Sequence, residues 1–138
     1  MNEDARLRWT PDLGGKVSSL RFGAAGREWL AAPVRPPAAP RPGQDWAEMD
    51  CSGWDECFPN IAGAPADGLQ DHGDVWRLPW TAQSPDSAGQ PPDSVIGSVT
   101  PDGRAYRFGR QIAVEDSALR IAYGVDNLGD RPLPWAWA

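Results

Sequence analysis

The sequence of 138 residues holds a single histidine, and acids flank it: Asp71-His72-Gly73-Asp74-Val75-Trp76-Arg77-Leu78-Pro79-Trp80. An imidazole changes charge near neutral pH, and a neighbouring carboxylate orients the ring and raises its basicity. Asp71 and Asp74 are both placed to do this for His72. The glycine that follows puts the histidine in a loop, where it can reach a ligand. Trp76 and Trp80 lie just beyond, in a proline-containing segment. Aromatic faces beside carboxylates suit a sugar, because the C–H face of a pyranose packs on a ring while acids accept its hydroxyl protons. A structural role for the histidine is the competing reading.

A second cluster precedes it, Trp54-Asp55-Glu56-Cys57-Phe58-Pro59-Asn60. It reads either as the lip of a pocket, with acids for hydroxyls and Trp54 for stacking, or as a structured loop with solvated acids. The two cysteines, Cys51 and Cys57, do not match zinc-finger spacings, and no second histidine exists, so no metal is expected. A Cys57–His72 hydrolase pair lacks a nucleophile motif, and there is neither a phosphate-cradling glycine loop nor a nucleophile elbow. No cofactor is expected.

The elements that must position these residues read as β. Ala5–Trp9 is a short strand. Lys16–Phe22 alternates, Gly23–Gly26 turns the chain and Glu28–Leu30 returns, which is a hairpin signature. After a proline-rich stretch, Val95–Thr100, Arg104–Val114 and Leu119–Val125 form a meander. Pro101-Asp102-Gly103, Glu115-Asp116-Ser117 and Asn127–Pro132 are its turns. Tyr106, Phe108, Ile112 and Val114 share one face of the long strand. Arg110 falls on that face too, so it either meets a buried acid or points into a site. Leu133–Ala138 begins another strand. Two proline- and glycine-rich segments, 31–45 and 81–94, read as surface loops. They bracket the region that carries the histidine, both cysteines and four of the eight tryptophans. The expected class is an all-β, single-domain antiparallel sandwich spanning 1–138.

Composition narrows the partners. With 15 Gly and 15 Pro the chain has few windows for a helix, while eight Trp are too many for a disordered chain. A net charge of −6 disfavours nucleic acid. No apolar run approaches a membrane span, and the N-terminal residues are polar and acidic, unlike a secretion signal. A cytoplasmic protein with reduced cysteines is expected. The apolar stretch Pro134-Trp135-Ala136-Trp137-Ala138 reads as the interior of a core strand. The chain is therefore expected to be truncated, with an exposed sheet that favours self-association.

Taken in order, several segments resemble one family. They are Gly14-Gly15-Lys16-Val17-Ser18-Ser19-Leu20, Gly26-Arg27-Glu28-Trp29-Leu30, Phe58-Pro59-Asn60, Asp71-His72-Gly73, Tyr123-Gly124-Val125-Asp126-Asn127-Leu128-Gly129-Asp130 and Pro132-Leu133-Pro134. Together they resemble the aldose 1-epimerase (galactose mutarotase-like) superfamily, over nearly the whole chain but about the N-terminal half of such a domain. The resemblance implies a β-supersandwich with a sugar cleft across one sheet. It implies interconversion of sugar anomers: a base removes the anomeric proton, an acid protonates the ring oxygen, and the ring opens and recloses without metal or cofactor. His72-Gly73 matches the family's first His-Gly motif, so His72 is the expected catalytic residue, near the ring oxygen. The family's second histidine and late glutamate have no counterpart before Ala138. Asn60 stands where the family has a substrate-binding arginine. Asn60, Asp71, Asp74, Trp76 and Trp80 are the expected substrate-binding residues, and an aldose or aldose phosphate is the expected ligand. A carbohydrate-binding module without turnover is the alternative, and an interaction domain with a vestigial site is a third reading.

Overall fold

The computed structural model describes residues 5–23, 25–41, 44–83, 94–115 and 118–138. Among these residues seven strands make two antiparallel sheets, and the fold is all-β. The first sheet has the order β1-β2-β3, with β1 at Arg6–Thr10, β2 at Lys16–Phe22 and β3 at Arg27–Glu28. The second has the order β4-β5-β6-β7, with β4 at Thr81–Ala82, β5 at Ser94–Val99, β6 at Tyr106–Glu115 and β7 at Ala118–Asn127. Helical structure among the described residues is limited to four three-residue 3₁₀ turns.

The alternation in the sequence accounts for the second sheet. Tyr106, Phe108, Arg110 and Ile112 are buried on one face of β6. They lie opposite Asn127, Val125, Tyr123 and Ile121 of β7. On the other side Phe108 lies opposite Val99 of β5, and Ile112 opposite Val95. Pro101-Asp102-Gly103 makes the expected turn, closed by Arg104 N–H donating to the Pro101 carbonyl at 3.1 Å. The core gathers Phe58, Val75, Trp80, Val99, Tyr106 and Phe108. Trp9 of the first sheet joins it by lying against Gly97 of the second, where an added Cβ would sit 2.5 Å from the indole. Gly97 is therefore a contact between the sheets, since any side chain there would displace Trp9.

Several expected boundaries move. The return strand of the hairpin is the two-residue β3, not Glu28–Leu30. Residues 81–82, expected within a loop, form β4, which pairs with Ser98 and Gly97. Leu133–Ala138 is not a regular strand, but Ala136 and Ala138 donate to the carbonyls of Pro59 and Cys57, and Cys57 N–H donates to Ala138. The segment borrows the partner it needs from the middle of the chain. Residues 24, 42–43, 84–93 and 116–117, which carry parts of the expected turns and loops, lie outside the described residues, as does the side chain of Val114. No described helix is long and apolar enough to cross a membrane.

Candidate functional site

The histidine is presented by a loop that is closed at its base. Phe58 and Gly73 bridge in parallel, and Asp74 N–H donates to the Phe58 carbonyl at 2.8 Å. The Asn60 amide then ties the loop together, donating to the carbonyls of Ala62 at 2.9 Å and Gln70 at 2.6 Å. His72 N–H donates to the Ile61 carbonyl at 2.9 Å. At its crest His72 has φ 60°, the one non-glycine residue with positive φ among the described residues. Gly73 follows at φ 74°, where an added Cβ would stand 2.1 Å from the Phe58 carbonyl oxygen. The His-Gly pair therefore has a physical basis: only glycine fits the bridge that holds the histidine out. A left-handed conformation at a non-glycine residue is a recurrent mark of functional loops.

Asp71, rather than Asp74, orients the ring. His72 Nδ1 lies 2.8 Å from Asp71 Oδ2, and Asp71 Oδ1 accepts from Gly63 N–H at 3.2 Å. Trp46 lies flat on the imidazole, with centroids 4.0 Å apart and planes 8° apart. Trp46 opens a 3₁₀ turn, Trp46–Glu48, capped by the Asp45 carboxylate accepting from Ala47 N–H at 3.1 Å. The His72 side chain keeps 25% of its surface exposed, and no described protein group bonds its Nε2. The Asp71 bond places the proton on Nδ1 and leaves Nε2 as the atom that can take or give one.

Three expected binding residues stand apart from this pair. Asp74 is buried and clamps two arginines, accepting from Arg77 Nη2 at 3.1 Å and from Arg104 Nε at 2.9 Å. Its carboxylate is committed to holding the loop against the start of β6, so it does not position His72. Trp80 is 4% exposed. Its Nε1 donates to the Val75 carbonyl, its ring meets Phe108 edge-on, and the Arg110 guanidinium lies 5.1 Å from it. It has no open face for a sugar. Trp76 is 3% exposed and forms part of the wall of a cavity of about 280 Å³ beneath residues 35–41, together with Lys16 and Asp55. It too is distant from a stacking role beside His72, where Trp46 lies instead. Asn60 is buried and acts on the loop backbone. Trp46 had a local signal, an aspartate cap ahead of an aromatic after a proline run, but nothing in that signal names His72 as its partner.

The acids of the Trp54–Asn60 cluster are not solvated: both are paired with buried cations, and Asp55 also lines the cavity beside Lys16. Residues 17 and 54 pair as an antiparallel bridge, which threads this segment into the first sheet. Asp55 meets Lys16 Nζ at 2.6 Å, and burial pushes its carboxyl above the ordinary range against the pull of the lysine. Glu56 accepts from Arg110 Nη1 at 2.7 Å, from the Tyr123 hydroxyl at 2.8 Å and from Trp137 Nε1 at 2.9 Å. Arg110 also donates to the Gly15 carbonyl and lies between the rings of Trp54 and Trp80. Of the two readings of Arg110, the buried acid is the one realised. Cys51 is exposed and Cys57 buried, both as free thiols. Burial, with the charges of Asp55, Glu56 and Asp71, pushes the Cys57 thiol up to about 11, which removes it as a nucleophile at neutral pH.

Compared with known proteins, the chain matches no family model, no curated protein and no solved structure.

Proposed function

We propose that the chain carries a carbohydrate site of the aldose 1-epimerase kind, centred on His72, with an aldose or aldose phosphate as ligand. The observation that carries this reading is the Asp71–His72 pair, 2.8 Å apart, held out on a left-handed turn with Nε2 unengaged. In this proposal Nε2 meets the sugar near its ring oxygen. There a protonated imidazole gives a proton as the ring opens and recovers it on closure. Asp71 stabilises the imidazolium before opening and again after closure, and holds the neutral ring by its Nδ1 proton between the two steps. Trp46 fixes the ring plane so that the proton is delivered in one direction. His72 supplies one of the two proton-transfer groups the reaction uses. The sequence resemblance supplies the substrate class, and the loop geometry supports it.

Binding without turnover is the second reading. It is favoured by the absence, among the described residues, of any titratable side chain other than Asp71 bonded to His72. Polarimetry of freshly dissolved α-glucose and α-galactose, run beside saturation-transfer NMR of the same sugars, separates the two. Acceleration of mutarotation that His72→Ala lowers by about 10²-fold or more supports the enzyme. Sugar contact without acceleration, lost in His72→Ala, supports the binding module. Contact and rate that are indifferent to His72→Ala and Asp71→Asn would remove the site assignment altogether.

A further inference from the structure

Strand β7 is the edge of the four-stranded sheet, and no backbone hydrogen bond among the described residues reaches its outer side. It is ten residues long and has neither proline nor lysine, the residues that usually blunt an edge. One face of it is apolar and open: Ile121 and Val125 are 36% and 37% exposed, and Tyr123, on the same face, lies against Trp137 at 4.4 Å between ring centroids. The other face carries Arg120 near one end and Asp126 near the other, and both are exposed.

We propose that this edge pairs with the same edge of a second copy, antiparallel, about a two-fold axis through Tyr123. Opposed residues in an antiparallel pair share a face, so apolar must meet apolar, and registers two residues apart are the available choices. With Tyr123 opposite Tyr123, Ile121 meets Val125 twice, once on each side of the axis. In the same register Arg120 meets Asp126 twice on the opposite face. Moving the axis to Ala122 or Gly124 sets Arg120 against Gly124 or Leu128 and loses both charge pairs. The strand is thus self-complementary in one register, which is what a closed two-fold contact demands. Asp126 already accepts from Arg107 at 2.8 Å, so in the dimer each aspartate lies between two arginines. The paired strands join two four-stranded sheets into one of eight, and they satisfy the backbone groups that face water in a single copy.

Charge reversal at the two positions tests both the contact and its register. Sedimentation velocity across the micromolar range should show a monomer–dimer equilibrium for the parent chain. Arg120→Asp or Asp126→Arg alone should weaken it about tenfold or more, because each reversal turns two attractive cross-strand pairs repulsive. The double variant R120D/D126R should recover dimerisation. So should an equimolar mixture of the two single variants, whose mixed dimer has one contact of native polarity, Asp126 against Arg120, and one with the polarity exchanged. Near-UV circular dichroism checks that each single variant keeps the parent's packing. A parent that stays monomeric throughout overturns the proposal. Dimerisation that survives both single reversals overturns it, as does failure of the mixture to associate.

Discussion

The Glu56–Arg110 pair is a sensitive measure of how the core is held. Both side chains are 2% exposed, and the two residues lie 54 apart in sequence. Replacing Arg110 by Met keeps most of the volume between Trp54 and Trp80 but leaves a buried carboxylate with two neutral donors, Tyr123 and Trp137. Removing one member of a buried pair costs about 3–5 kcal/mol, and the two remaining bonds argue for the lower end. Glu56→Gln leaves the guanidinium buried beside an amide, with a cost of about 3 kcal/mol by the same reasoning. The double variant has no buried charge to strand, so its cost should fall short of the sum by about 2 kcal/mol. Urea unfolding followed by tryptophan fluorescence reads this directly, because Trp54, Trp80 and Trp137 all touch the pair. With a slope of about 2 kcal/mol per M, each single variant should lower the midpoint by about 1.5 M and the double by about 2 M. A shift under about 0.3 M for Arg110→Met would be a surface effect. That result, or strict additivity in the double variant, would refute the account of a coupled buried pair.

Gly73→Ala should destabilise by more than about 2 kcal/mol, since it imposes both a left-handed alanine and a clash with the Phe58 carbonyl; an unchanged urea midpoint would contradict this. In a thiol titration with an aromatic disulfide at about pH 8, the exposed Cys51 should react at once. Cys57 should react only on unfolding, because about one molecule in a thousand is thiolate there when the thiol sits near 11; two fast thiols would count against the buried placement. Glu28 is held at about 2 by the Ser19 hydroxyl, then by the N–H groups of Leu20 and Leu30, from an ordinary value of 4.5. Between those values the unfolded chain binds the proton that the folded one does not. Stability contributed by Glu28 is therefore complete above about pH 4.5 and is lost as pH falls towards about 2. Glu28→Gln should flatten that part of the midpoint-versus-pH curve, and an identical curve would show that the hairpin does not depend on this carboxylate.

Local pattern determined much of the fold. Alternation along Lys16–Phe22 and through residues 94–127 depends on neighbours two apart, so β2, β5, β6 and β7 are legible without knowing what they pack against. The histidine loop was legible for a similar reason: a glycine after His72 and a proline after Phe58 mark irregular backbone, and Asp71 is adjacent in the chain. Which acid would orient the ring was not legible, because Asp71 and Asp74 differ only in what the fold brings to them. Tertiary structure brings two arginines to Asp74 and none to Asp71. It also takes Trp80 into the core and lays Trp46 on the imidazole. The acids Asp55 and Glu56 give the clearest case. In sequence they look solvated or ligand-facing, yet their partners are Lys16 and Arg110, with Trp137 reaching Glu56 across 81 residues. Such separations leave no period in the sequence, because a buried charge is paired by whichever strand the sheet order sets beside it. Sequence fixes which side chains need a partner; only the packed sheets decide which partner arrives.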